Sequence, residues 1–123
     1  MAKVMLVEDD HVMVDLLNTL LGIEGFEVVS LNNEGEFLQT VHQNRPDLIL
    51  LDVNLHGVGN QDIDGFDLLR QIREDAGVNT AKVVMTSGMD YEEKSKQRGA
   101  DGFILKPYMP TDLISLIKEL ITS

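Results

Sequence analysis

Four places in the chain carry residues whose types and positions could do chemistry together. Glu8 and Asp9 close the first apolar run, Asp52 closes the Leu48–Leu51 run, Ser87 follows Val83–Met85, and Lys106 follows Phe103–Leu105. Carboxylates drawn into one pocket repel unless a cation joins them. An all-oxygen donor set selects a hard ion, and a sparse, partly hydrated set suits Mg²⁺, with Mn²⁺ as a substitute. Lys106 adds a positive charge and Ser87 a hydroxyl. A carboxylate so surrounded is equipped to take a phosphoryl group, because that transfer is mostly positioning and charge neutralisation, and carboxylates do serve as acceptors. Asp52 is the expected acceptor. Glu8 and Asp9 precede a helix whose dipole would favour acids anyway, but a loop follows Asp52, so no helix start accounts for it.

For these residues to meet, the elements that carry them must end at one edge. Val4–Val7, Phe26–Leu31, Leu48–Leu51, Val83–Met85 and Phe103–Leu105 are short apolar runs without polar alternation, as expected of parallel strands covered on both faces. Between them lie helical repeats: Val14, Leu17 and Leu21; Phe37, Leu38 and Val41; Phe66, Leu69 and Ile72; a short polar stretch over about 90–98; and Leu113, Leu116, Ile117 and Leu120. Residues 54–65 read as a loop. The pattern predicts an α/β fold, (βα)₅, a doubly wound five-stranded parallel sheet in the flavodoxin-like order 2-1-3-4-5. In that order strands one and three are neighbours, about 4.8 Å apart, and ligands bind beyond the carboxyl ends of the strands. Glu8, Asp9 and Asp52 would then share one pocket. Asp10 reads as the cap of the first helix.

Bulk properties agree with one domain over 1–123 and narrow its partners. The chain has 123 residues, 43% hydrophobic and 25% charged, and a net charge of -11. That charge argues against a sequence-independent grip on nucleic acid and against an anionic membrane surface. The absence of cysteine excludes disulfides and thiolate metal sites. No stretch could span a bilayer as a helix, and the N-terminus lacks a signal-peptide layout, so a cytoplasmic location is expected. His11, His42 and His56 show no metal-ligand spacing and read as surface or loop residues.

Five motifs occur in order, each at a strand end: Leu6-Val7-Glu8-Asp9-Asp10, Pro46-Asp47 through Asp52, Asp64-Gly65, Thr86-Ser87-Gly88, and Gly99-Ala100-Asp101-Gly102 through Lys106-Pro107. With these the whole chain resembles the receiver domain of two-component response regulators. The resemblance implies Asp52 as phosphoacceptor, Asp9 as a direct Mg²⁺ ligand, and Glu8 as an acid reaching the metal through water. It further implies that the backbone carbonyl of Asn54 completes the metal site, and that Ser87 is the switch hydroxyl, with Thr86 as the competing reading. Lys106 would be the lysine that pairs with the phosphoryl group, its bond to Pro107 would be cis, and Phe103 would be the aromatic switch. The implied partners are a histidine kinase or histidine phosphotransfer protein as donor and a downstream protein as target, with the chain a monomer or weak homodimer. No output domain is expected, so the readout would be partner binding. The chain would catalyse only its own phosphorylation and dephosphorylation.

Three features depart from the family pattern. His56 stands where a proline is usual, and Gly57 to Asp62 form an insertion, read as a tolerated surface loop beside the site. The stretch from Ser87 to Lys106 is about one helical turn short, which leaves a short, polar fourth helix on the usual output face. Met89, two positions past Ser87, would shield the acyl phosphate from water. In the last helix, Ile114 and Ile121 widen the apolar stripe toward a partner surface. Two competing functions are a receiver-like binding module that works without phosphorylation and a phosphotransferase of the haloacid dehalogenase type. The second requires an acid two residues past the acceptor, where this chain has Asn54.

Overall fold

The computed structural model describes residues 2–31, 37–56 and 62–122. Strand β1 (Lys3–Val7) leads into α1 (His11–Ile23), followed by β2 (Glu27–Ser30), α2 (Phe37–Asn44) and β3 (Leu48–Asp52). Two three-residue strands come next, β4 (Asn54–His56) and β5 (Asp62–Asp64), before α3 (Gly65–Glu74), β6 (Lys82–Ser87), α4 (Glu92–Gln97), β7 (Gly102–Leu105) and α5 (Pro110–Thr122). The main sheet runs β2-β1-β3-β6-β7 with every pair parallel. This is the expected 2-1-3-4-5 order once the two small strands are set aside.

The sheet is central because its side chains alternate between two apolar layers. Met5, Val7, Ile49, Leu51, Val83 and Met85 point toward α2 and α3, where Phe37, Val41, Phe66, Leu69 and Ile72 meet them. Val4, Leu6, Leu48, Leu50 and Val84 point the other way, onto Leu17 and Leu21 of α1 and Leu113 and Ile117 of α5. Both sets of strand residues are fully or almost fully buried. Ile114 and Ile121 pack against this second layer, so they belong largely to the core.

One expectation is corrected. Residues 54–65 are not simply loop: β4 and β5 pair antiparallel, with Leu55 opposite Ile63 and Asn54 opposite Asp64. Polar and apolar residues alternate in both segments, a period of two that lets Leu55 turn into the core while Asn54 is exposed. Residues 57–61, all of the insertion but Asp62, lie outside the described residues. The short polar fourth helix is observed as α4, six residues long.

Long-range polar bonds lock the frame. Arg73 of α3 donates to the carbonyls of Gly99, Asn79 and Ala81 at 2.9, 3.1 and 2.7 Å, and to Asp101 Oδ2 at 2.9 Å. Asp101 Oδ2 also accepts from the Val83 amide at 2.8 Å. One guanidinium thus ties the end of α3 to both approaches into β6 and β7. His42, read from sequence as a surface residue, bonds Asp75 at 2.9 Å. That bond, with the Gly77 amide, holds the Asp75 carboxyl below its usual range.

Candidate functional site

The carboxyl ends of β1, β3, β6 and β7 bring Glu8, Asp52, Ser87 and Lys106 to one edge of the sheet. Register makes this inevitable: Val7 pairs with Leu51, Asp52 with Thr86, and Ser87 with Leu105. Each chemical residue therefore sits at or just past the last paired position of its strand.

Lys106 Nζ lies 2.7 Å from Asp52 Oδ2, and 2.9 and 3.1 Å from the two oxygens of Glu8. Glu8 and Asp52 are 8% and 5% exposed, so one ammonium bridges two buried carboxylates. The other Asp52 oxygen, Oδ1, accepts the Asn54 backbone N–H at 2.9 Å. Burial pushes the Glu8 carboxyl up. Lys106 pulls it down and Asp52 pushes it up again, leaving it at about 6. Burial works against the Lys106 charge too, yet its bonds to Asp52 and Glu8 outweigh burial and hold its pKa above the ordinary lysine value.

Ser87 is buried at the rim, where its Oγ accepts from the Met89 amide at 3.1 Å and faces Asn54 Nδ2 at 3.4 Å. Thr86 is committed elsewhere: its hydroxyl donates to the Ile104 carbonyl at 2.8 Å. Of the two competing hydroxyls, Ser87 is the one beside Asn54. Asp10 is the N-cap of α1, accepting from the Val12 and Met13 amides, as its sequence position predicts. Its own amide donates to Glu8 Oε1 at 3.2 Å. Asp9 is half-buried next to this cluster. Phe103 is half-buried on β7 and packs against the α2–α3 layer. The Lys106–Pro107 peptide is cis.

The donor set fits a hard divalent cation in chemistry. Glu8, Asp9, Asp52 and the Asn54 carbonyl offer only oxygen. Burial, with Asp52 beside it, keeps the Glu8 carboxyl raised despite the Lys106 ammonium, and a further cation would favour the charged form. Among the described residues, no three carboxylates or imidazoles already stand close enough to form a metal cage. Lys106 occupies the place between Glu8 and Asp52 that a cation would contest.

Two neighbours of the site have contacts that the sequence did not reveal. Gly65 begins α3 against the back of Asp52: a Cβ there would lie 2.2 Å from the Asp52 carbonyl oxygen, and its amide donates to Val53 O at 2.7 Å. Tyr108 lines a cavity of about 400 Å³ with Asp10, Met13, Gly88, Lys106 and Pro107. Its buried hydroxyl has no partner among the described residues. Burial first, and then the Glu8 charge, push that phenol up to about 12. Only its place two residues past Lys106 hinted at this.

A family model described as response regulator receiver domain matches residues 4–118. The chain belongs to that family. Receiver domains are signalling modules of two-component systems rather than classical enzymes, and they work by phosphorylation and partner binding. The DNA-binding response regulator MtrA of Mycolicibacterium smegmatis is 30% identical over 118 residues, covering 94% of this chain and 49% of MtrA. This receiver thus spans about half the length of that curated relative. A putative response regulator from Chloroflexus aurantiacus superposes with a TM-score of 0.84 at 26% identity, over 99% of this chain and 98% of that one. Chemotaxis protein CheY4 of Vibrio cholerae gives 0.83 at 27% identity, with 98% of each chain covered. No helix among the described residues is long and apolar enough to cross a membrane.

Proposed function

We propose that this receiver accepts a phosphoryl group on Asp52 from a phosphohistidine of a kinase or phosphotransfer protein, and signals by binding another protein. The observation that carries this reading is the buried Asp52 carboxylate, bonded to Lys106 through one oxygen and to the Asn54 amide through the other. Such a carboxylate is fixed in direction while part of its charge is offset, as in-line attack requires.

In the proposed reaction an Asp52 oxygen bonds to phosphorus as the phosphorus–nitrogen bond of the donor breaks, and the released imidazole nitrogen takes a proton. The Lys106 ammonium turns from Asp52 to the transferred group while keeping Glu8. The Asn54 amide holds the carboxylate orientation throughout. The Ser87 hydroxyl trades its present contacts for a phosphoryl oxygen, and Phe103 moves into the space this opens, shifting a two-state equilibrium of the β6-to-α5 face. Asp9, Asp52 and the Asn54 carbonyl would hold Mg²⁺ directly and Glu8 through water. That ion would supply the positive charge the carboxylates lack and neutralise the phosphoryl oxygens. Hydrolysis by water resets the switch. The net charge of -11 supports protein partners over nucleic acid, and the residues present are compatible with action in the cytoplasm as one domain.

The test is incubation with Mg²⁺ and acetyl phosphate or phosphoramidate, followed by intact-mass measurement. The wild type should gain one phosphoryl group, and Asp52→Ala should gain none. Equal labelling of the two would remove Asp52 from its role.

A further inference from the structure

We infer that the β4–β5 ribbon is a positioning device for the phosphoryl site, with Ile63 acting through Leu55 and Asn54 on Asp52. The inference rests on the function proposed above. Register decides which main-chain groups the ribbon uses. In an antiparallel ladder, pairs that exchange two hydrogen bonds alternate with pairs that exchange none. The Gly65 amide donates to Val53 O at 2.7 Å, one step before the Asn54–Asp64 pair. Leu55 and Ile63 are therefore the pair that exchanges both bonds, and Asn54 and Asp64 exchange none. In extended backbone the N–H and C=O of one residue lie on the same side, so both main-chain groups of Asn54 turn away from β5. The Asn54 N–H is found on Asp52 Oδ1 at 2.9 Å, as that register requires.

Both flanks of Asn54 are anchored. Before it, the buried Val53 donates its amide to Thr86 O at 2.9 Å. After it, Leu55 is buried in the apolar layer that Ile63 also packs against. The far end of β5 is fixed as well. Asp64 Oδ1 accepts the Phe66 amide at 2.9 Å. The buried Phe66 ring meets Tyr91 edge to face, centroids 5.8 Å apart, and Lys94 Nζ lies 4.6 Å from its centre. A two-stranded ribbon is marginal by itself, so these anchors and the Leu55–Ile63 pair keep it formed.

The consequence falls on Asp52, the last residue of β3. A loose chain after β3 would have to order the Asn54 amide each time the carboxylate is used, at the entropy cost of fixing its backbone. The ribbon fixes it beforehand, and a carboxylate held in one direction is what in-line attack needs. The exposed Asn54 side chain also faces Ser87 Oγ at 3.4 Å, so the same ribbon sets the spacing between acceptor and hydroxyl. The ribbon is a sheet separate from the main one, which lets it be disturbed while the five-stranded sheet stays paired.

The test uses the 123-residue chain without a phosphodonor. Ile63→Pro removes the N–H given to Leu55 and does not fit inside a ladder. The Asn54 amide should then exchange with deuterium about ten-fold faster by NMR. The Mn²⁺ dissociation constant, read from the EPR signal of the free ion, should rise by about ten-fold, as when a group that orients a metal ligand is lost. Ile63→Val keeps the pairing and should keep both wild-type values. Ile63→Gly retains the N–H but weakens the strand; it serves as a second variant should proline disturb more than the ribbon, and should move both readings the same way. A residue with a structural role alone would lower the urea midpoint and leave both site readings of the folded protein unchanged. Wild-type exchange and affinity in both Ile63→Pro and Ile63→Gly would overturn the inference, as would a wild type that takes up no Mn²⁺. A wild type that binds Mn²⁺ yet gains no phosphoryl group from acetyl phosphate would instead sink the acceptor role of Asp52 and leave the positioning role of the ribbon intact.

Discussion

Replacing Gly65 by alanine should do damage out of proportion to one methyl group. Gly65 does not have a positive φ among the residues that do, so its requirement is room, not handedness. The added Cβ would stand 2.2 Å from the Asp52 carbonyl oxygen and 2.9 Å from both the Asp52 carbonyl carbon and the Val53 Cα. Ordinary contacts between such atoms are about 3.5 Å, so α3 and the end of β3 must part by about 1 Å. All three obstacles are backbone, and none can rotate away. Overpacking of this kind costs about 1–3 kcal/mol. Stretching the 2.7 Å bond from the Gly65 amide to Val53 O adds about 1 kcal/mol. Against this, alanine is the better helix former by at most about 1 kcal/mol. The net loss should be about 1–3 kcal/mol, which lowers the urea midpoint by about 0.5–2 M for a small domain. Gly22 of α1 is the internal control: nothing lies within 4 Å of a Cβ placed there. Gly22→Ala should stabilise by about 0.5–1 kcal/mol. Because the crowded carbonyl belongs to Asp52 itself, Gly65→Ala should also slow acetyl phosphate labelling by about ten-fold or more. A Gly65→Ala protein with the wild-type midpoint and labelling rate would refute the reasoning.

Three further outcomes can be checked. Lys106→Met leaves Glu8 and Asp52 facing each other with no cation. Stability without Mg²⁺ at pH 7.5 should fall by about 2–3 kcal/mol, less than the 3–5 typical of a broken buried pair because a proton can replace the lysine; Lys106 lowers the Glu8 pKa, so without it Glu8 titrates above its wild-type value of about 6, and denaturation should show the deficit shrinking as pH falls from neutral toward 6; wild-type stability throughout would contradict it. Tyr108 is raised to about 12, so the fold favours its neutral form; the stability it contributes is complete below pH 10 and lost as pH climbs from 10 to 12, and denaturation series should show a steeper alkaline decline for wild type than for Tyr108→Phe. Met89, 62% exposed with its amide on Ser87 Oγ, should slow hydrolysis of phosphorylated Asp52; Met89→Glu is expected to shorten the phosphoryl lifetime several-fold, and equal lifetimes by mass spectrometry would dismiss the shield.

The strands were legible because nothing about them is ambiguous in one dimension. Leu48-Ile49-Leu50-Leu51 is apolar at every position, and both of its faces are buried. Asp10 was legible as a cap because capping is local, reaching only two and three residues ahead. The ribbon was not, since β4 and β5 are three residues each, too short for alternation to stand out beside a glycine-rich insertion. The meeting of Glu8 with Lys106 spans 98 positions, and only a strand order could bring them together. The Phe66–Tyr91–Lys94 cluster joins two helices whose facing sides no spacing rule relates. Gly65 showed itself as half of an Asp-Gly pair, but the backbone it touches is visible only in three dimensions.

Thr86 and Ser87 are consecutive hydroxyls with opposite freedoms. The first is fastened across the strand gap to Ile104; among the described residues the second accepts the Met89 amide at 3.1 Å and faces Asn54 Nδ2 at 3.4 Å. A single peptide bond therefore separates a hydroxyl spent on the sheet from one that lies beside Asn54. A change at Ser87 should therefore test the proposed switch without loosening the sheet, whereas a mutation at Thr86 should be felt as a slack edge strand.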